Sequence, residues 1–303
     1  MKFVNKMEVV HKSFTPSFDF VCYNIYVTGM EELKLHFTTL ASGSSGNAIL
    51  VGEDNRHLLV DCGISGKSLL HNLSLLNIAD SEIEGIVVTH EHVDHIRGVG
   101  VLARKLKIPI YATTELWEVM SPLLGKLADN QRMEVQESFS CAGLDVLLYP
   151  TSHDSRESFG LKVSRPKRKD RGNLAIGIAT DSGMITEEMH RHLKGCNAFV
   201  VEANYDDHML NFGSYPAYLK KRIRGQYGHL ENKQLAEGLL EWITENTQRI
   251  VLAHLSEENN TPEIALSTVM RILRDSNRSK KYIDVQVQVA PRHSPHELIM
   301  LKE

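Results

Sequence analysis

The stretch Thr89-His90-Glu91-His92-Val93-Asp94-His95 puts three imidazoles and two carboxylates into seven residues, directly after the apolar run Gly85-Ile86-Val87-Val88. Side chains alternate along an extended chain, so His90, His92 and Asp94 would share one face. His95 adjoins Asp94, and both reach one point only if the chain turns between them. A strand-to-helix corner is therefore expected at Asp94 and His95. Such a cluster is costly to bury unless a cation sits among its members. Neutral imidazole nitrogen and carboxylate oxygen, with no thiolate, suit Zn²⁺ or Mn²⁺. A cation bound there lowers the pKa of its water and supplies hydroxide near neutral pH.

Positioning these groups requires several strands that end at one edge. The same local syntax recurs at Val60-Asp61, Tyr149 to His153, Ala179-Thr180-Asp181 and Ala253-His254: an apolar run ends and a ligand-type side chain follows. Strands are expected at 33–40, 48–52, 57–60, 110–112, 144–149, 159–163, 174–180, 198–202, 249–253 and 283–289. Ser65 and Thr114 are suited to cap helices, the second running to about Leu124. Further helices are expected at 96–106, 185–193, 215–223, 231–243 and 262–273. Strands followed by helices in both halves predict a two-sheet α/β sandwich with helices outside.

The whole chain sets looser bounds. Its 303 residues can bury a full core, and 42% hydrophobic and 24% charged residues are ordinary globular values. A net charge of −4 argues against a basic coat for nucleic acid, while allowing local basic patches. Cys22, Cys62, Cys141 and Cys196 are scattered without a C-x-x-C pair, which fits a reducing cytoplasm better than a disulfide framework. No run approaches a membrane span, and the N-terminus lacks a signal-peptide pattern. Residues 1–33 lack clear periodicity and read as an N-terminal extension, with the first 29 dispensable and a natural start at Met30.

With the five strand ends in view, residues 34 to about 290 resemble the metallo-β-lactamase superfamily through the H-x-H-x-D-H element at 90–95. The resemblance implies an αββα four-layer sandwich with two mixed sheets and the metal site at one sheet edge. It implies that His90, His92 and His153 bind one divalent metal, that Asp94, His95 and His254 bind a second, and that Asp181 bridges them. Asp61 would hold a ligand in place by hydrogen bonds, or cap a local turn. Leu40 to Asn47, Glu202-Ala203-Asn204-Tyr205-Asp206, Gly228-His229-Leu230-Glu231-Asn232 and Ala253 to Asn260 resemble the YycJ/WalJ-like family. That family is bacterial and associated with DNA exonuclease activity. Glu231 stands where it commonly carries Ser.

The resemblance implies a dinuclear metal-dependent phosphodiesterase, a DNA exonuclease using a metal-bridging hydroxide. Asp94, His229 and Asp61 are the candidate catalytic residues. His229 resembles a phosphate-binding histidine of the β-CASP nucleases and is assigned to the scissile phosphate or the leaving oxygen. Lys220, Lys221 and Arg222, with Arg224, precede it and could neutralise a phosphate backbone. A second basic run, Arg165, Lys167, Arg168, Lys169 and Arg171, crowds one loop. Only 72 residues separate Asp181 from His254, enough for a strand and two helices forming a wall beside the site. Two rival readings use the same residues: a thioester or lactone hydrolase, and a non-enzymatic nucleic-acid-binding protein with a structural metal site.

Overall fold

The computed structural model describes residues 34–167, 172–276 and 285–303. The N-terminal extension and Arg168, Lys169 and Arg171 of the second basic run lie outside them. In the first half, β1 (Leu35–Ala41), β2 (Ala48–Glu53) and β3 (Arg56–Val60) form an antiparallel meander. Then follow α1 (Gly66–Leu75), β4 (Ile83–Val87), α2 (Val93–Ile96), α3 (Val99–Leu106), β5 (Ile110–Ala112), α4 (Thr114–Leu124) and β6 (Arg132–Glu134). Strands β3 to β6 pair in parallel through these helical crossovers.

The second half begins with β7 (Ser138–Cys141), β8 (Leu144–Pro150), β9 (Phe159–Ser164) and β10 (Ala175–Ala179), each paired antiparallel with the next of the four. It continues with α5 (Glu187–Leu193), β11 (Ala198–Glu202), α6 (Asp207–Phe212), α7 (Ala217–Ile223), α8 (Asn232–Trp242), β12 (Arg249–Ala253), α9 (Pro262–Asp275) and β13 (Gln286–Val289). Strands β10 to β13 are parallel. The closing β14 (Ile299–Met300) returns to pair with β1. The sheet orders are β14-β1-β2-β3-β4-β5-β6 and β13-β12-β11-β10-β9-β8-β7.

Three apolar clusters make this a four-layer αββα sandwich, as the sequence implies. Phe37, Val51, Val60, Leu161, Ile176 and Val200 belong to the cluster between the sheets. Leu50, Leu59, Leu69, Leu102 and Trp117 join the first sheet to α1, α3 and α4. Phe199, Val201, Met189, Leu235, Trp242 and Val269 join the second to α5, α8 and α9. Runs such as Ala175–Ala179 and Ala198–Glu202 are buried throughout, because both faces of these strands are covered.

Local structure departs from the sequence expectations in instructive places. The helix expected over 96–106 is broken at Arg97 and Gly98 into α2 and α3. There the chain passes hard against the loop after β3: Gly98 N donates to Cys62 O at 2.7 Å, and a Cβ at Gly98 would lie 2.2 Å from Ile64 O. Ser65 caps α1 as expected, but Thr113, not Thr114, caps α4. Four helices and two strands occupy the stretch from Asp181 to His254, one helix more than the three expected there, and the addition is α6. The short elements β6, β7, α6 and β14 carried no clear pattern; β6 is exposed at all three residues. Among the described residues, no helix is long and apolar enough to cross a membrane.

Candidate metal centre

Every strand that feeds the site ends at the same edge of the sandwich. Asp61 follows β3, the 89–95 element follows β4, His153 follows β8, Asp181 follows β10, and His254 follows β12. The carboxyl ends of parallel strands are where open α/β sheets build sites. Asp61, Asp181 and His254 each take a left-handed backbone (φ 59°, 59° and 54°). That conformation costs a non-glycine residue roughly 1–2 kcal/mol, and here it turns the chain so that the side chain enters the site.

The expected corner exists, with Asp94 and His95 in the first turn of α2 and His92 at its N-cap. Backbone contacts bolt it down: Asn47 N donates to Asp94 O at 2.8 Å and Cys62 N to His95 O at 2.8 Å. Gly63 is required beneath it, since a Cβ there would sit 1.6 Å from Asp94 O.

Ligand atoms gather in overlapping sets whose members all lie within 4.8 Å of one another. One set is His90, His92 and His153; a second is Asp94, His95 and His254; a third joins His90 and His95 to Asp181. Asp181 thus lies between the two imidazole groups. All seven residues assigned to metal from the sequence meet here. Asp94 and His92 are half-buried, and the other five are buried.

The donor chemistry fits cations. His95 directs Nδ1 to Asp61 Oδ2 at 2.7 Å, His153 directs Nδ1 to Gly228 O at 3.0 Å, and His254 directs Nδ1 to Glu202 Oε1 at 2.9 Å. An imidazole donating from Nδ1 presents a lone pair at Nε2. These Nε2 atoms face inward, 3.1 Å from Asp181 Oδ2 for His95 and 3.2 Å from His92 Nδ1 for His153. His90 Nε2, His254 Nε2 and Asp181 Oδ2 are buried without a hydrogen-bond partner. Acceptors aimed at acceptors in a buried pocket call for positive charge between them.

The electrostatics agree. Burial opposes charge on His254, yet Asp181, with Asp94 and Glu202, pulls its pKa up to about 10. Burial would raise the Asp181 carboxyl, but His254 and His95 hold it well below the usual carboxylate range. The pocket is anionic and recruits protons where cations would otherwise sit. His90 goes the other way: burial and the neighbouring His95 push it well down, leaving a neutral ring suited to ligation.

Asp61 serves the site from behind. Its Oδ1 accepts from Thr89 N at 2.8 Å, and its Oδ2 accepts from Thr89 Oγ1 and His95 Nδ1, each at 2.7 Å. It joins β3 to the start of the motif and holds the His95 ring by a hydrogen bond.

Residues 56–255 match the family described as beta-lactamase superfamily domain. The chain is 40% identical over 247 residues to the exodeoxyribonuclease YycJ of Bacillus anthracis, covering 80% of this chain and 90% of that one. It belongs to the YycJ/WalJ family of the metallo-β-lactamase superfamily. The exodeoxyribonuclease WalJ of Streptococcus pneumoniae is 34% identical over 252 residues, covering 82% of this chain and 91% of the relative. The metallo-β-lactamase fold protein YhfI of Bacillus subtilis shares the fold, with a TM-score of 0.63 at 14% identity over 87% of this chain and 99% of that one. The chain is a metal-dependent hydrolase.

In this YycJ/WalJ chain Glu202 is a site residue that sequence reasoning left without a role. It is fully buried, and its Oε1 takes both His229 Nδ1, at 2.7 Å, and His254 Nδ1. Its Oε2 accepts from Ser182 N at 2.9 Å. The signal was present, since Glu202 ends an apolar strand as Asp61 and His254 follow theirs. His229 lies beside the cluster, its ring 5.0 Å from that of His153 and 5.3 Å from that of His254.

The basic residues divide. Lys220 caps the end of α6, donating to Asn211 O at 2.8 Å and Gly213 O at 2.7 Å. Arg222 pairs with Asp154, the neighbour of His153, at 2.6 Å, and Arg224 with Asp207 at 2.7 Å. Lys221 is exposed. Arg165 follows the far end of β9, away from the site, where it pairs with Glu53 and Glu303.

Proposed function

We propose that the protein is a dinuclear phosphodiesterase that degrades DNA from an end. The observation that carries this reading is the Glu202–His229 pair beside the seven-residue ligand cluster. His90, His92 and His153 would hold one divalent cation, and Asp94, His95 and His254 a second, with Asp181 between them. Zn²⁺ or Mn²⁺ in these positions would lower the pKa of a shared water and neutralise charge on the phosphate oxygens.

The protein's own groups supply the rest. Glu202 occupies His229 Nδ1, so Nε2 is the nitrogen available to substrate, and the His229 side chain is 24% exposed. Water adds to phosphorus and releases one proton to solvent, the bond from phosphorus to the sugar oxygen breaks, and His229 Nε2–H gives its proton to that oxygen and is reprotonated from solvent. The products are a phosphate monoester and an alcohol. A sugar alkoxide needs this proton, whereas the thiolate of a thioester leaves without one. The pair therefore favours a phosphodiester over a thioester. Glu202 keeps the ring oriented and stabilises its charged form. The relatives named as exodeoxyribonucleases support DNA and attack from an end.

The test is hydrolysis of end-labelled single- and double-stranded DNA and RNA by purified protein loaded with each metal, beside a thioester. Asp94→Ala serves as the control for contaminants. Stepwise release of nucleotides from DNA, absent in the variant, is expected. Thioester turnover without nuclease activity would overturn the proposal.

A further inference from the structure

The segment between β11 and α8 carries an unusual surface. Among the described residues, the exposed aromatic side chains are Phe212 at 80%, Tyr218 at 76% and Tyr227 at 56%. All three lie in this one segment. Scattered apolar side chains on a surface are ordinary, but the gathering of exposed rings in one wall beside a catalytic cluster is not.

The backbone near each ring is anchored, and near Tyr227 and Tyr218 the anchors reach the site. Tyr227 stands between Gln226, whose carbonyl accepts from Ser152 Oγ at 2.8 Å, and Gly228, whose carbonyl holds His153. Tyr218 shares a face of α7 with Lys221 and Arg222, three and four residues on. Arg222 reaches Asp154 beside His153, so that face looks onto the mouth of the site. Phe212 rests against His208 with ring centroids 4.6 Å apart, and the carbonyls of its neighbours Asn211 and Gly213 hold Lys220 of α7. The rings are thus mounted on anchored backbone, with cations interleaved.

We infer that Phe212, Tyr218 and Tyr227 form a stacking platform for unpaired nucleotides of the strand entering the site. This rests on the nuclease reading above. Bases offer flat π faces that stack on aromatic rings whatever their sequence, and lysine and arginine neutralise the intervening phosphates. A fully paired duplex hides those faces, so the platform selects a frayed or single-stranded end. A second copy of the chain is a poorer occupant. An isologous contact through this face would set the exposed Lys221 against the same cation of the other copy. α7 carries no acidic residue to answer it.

The test compares the metal-loaded wild type with the double variant Phe212→Ala/Tyr218→Ala, which leaves the Tyr227 backbone links intact. Binding of fluorescent phosphorothioate oligothymidylate is read by anisotropy, beside a strand of the same length without bases. The platform predicts binding of oligothymidylate weakened about tenfold or more, and equal binding of the base-free strand by both proteins. Tyr218→Trp, which keeps a ring, should bind oligothymidylate as tightly as the wild type. Equal weakening on both strands, or none on either, would overturn the platform. So would a wild-type dimer in light scattering that the double variant dissolves, which would mark a self-association surface. Hydrolysis of bis(p-nitrophenyl) phosphate by the wild type is a separate readout. Its absence would count against the nuclease reading while base-dependent binding still reported on the platform.

Discussion

Glu202 Oε1 accepts from His229 Nδ1 at 2.7 Å, and the same oxygen lies 2.9 Å from His254 Nδ1. One buried carboxylate thereby orients a proposed metal ligand and the proposed proton donor together. Burial would raise the Glu202 carboxyl, but His229 above all brings its pKa down to about 2, so it is anionic across the working pH range.

This arrangement separates proton delivery from metal binding. His229→Ala should reduce kcat on DNA by about 10²–10⁴-fold, the usual contribution of a positioned acid, with the metal content of the protein unchanged. Glu202→Gln should lower kcat as well and also loosen metal binding, because it releases His254. Steady-state kinetics paired with metal analysis checks both. Loss of metal from His229→Ala would make His229 a ligand instead.

Asp61 should act on affinity for metal. Its Oδ2 holds both Thr89 Oγ1 and His95 Nδ1, and an asparagine amide nitrogen at that position cannot accept. Asp61→Asn should weaken metal binding about 10–100-fold. Competition against a chelator measures this. Unchanged affinity would leave Asp61 as a turn cap alone.

Gly63 supports the motif from below. In Gly63→Ala the new Cβ would collide with the Asp94 carbonyl, which is backbone on an element tied at Asn47 and Cys62. Destabilisation of about 1–3 kcal/mol is expected from such overpacking, together with weaker metal binding. Urea unfolding and metal analysis together test it; a variant with wild-type values in both would refute the close approach.

Much of this site was legible in the sequence because ligand-type side chains after apolar runs are a one-dimensional signal. All seven assigned ligands meet, and the element from Thr89 to His95 turns at Asp94 as its spacing requires. Tertiary approach was not legible. Nothing local says that Gly98 breaks a helix because Ile64 O lies against it, or that Lys220 will cap α6 instead of facing solvent. Glu202 was overlooked for a related reason: its partners lie 27 and 52 residues away, at His229 and His254. Short exposed strands such as β6 lack the periodicity that betrays longer ones.

A pH effect is expected far from the metals. His36 and His57 are buried in the first sheet with their Nε2 atoms 2.9 Å apart. Burial, then His36, lowers the pKa of His57 to about 4, against about 6.5 for an unfolded histidine. The folded state therefore binds fewer protons at His57 than the unfolded state. The stability it contributes is full above pH ~6.5 and is lost as pH falls towards about 4. Urea midpoints of metal-free wild type and His57→Gln between pH 7.5 and about 4.5 should show a shallower decline in the variant. Parallel declines would contradict the shift.

The central claim is that two cations at one edge of the sandwich drive phosphodiester hydrolysis. Metal-free protein titrated with Mn²⁺ or Zn²⁺, assayed by nucleotide release from end-labelled DNA, tests it most directly. Activity should rise to a plateau at about two equivalents per chain, as expected for a two-metal site. Full activity at one equivalent, or no DNA hydrolysis at any loading, would contradict the account.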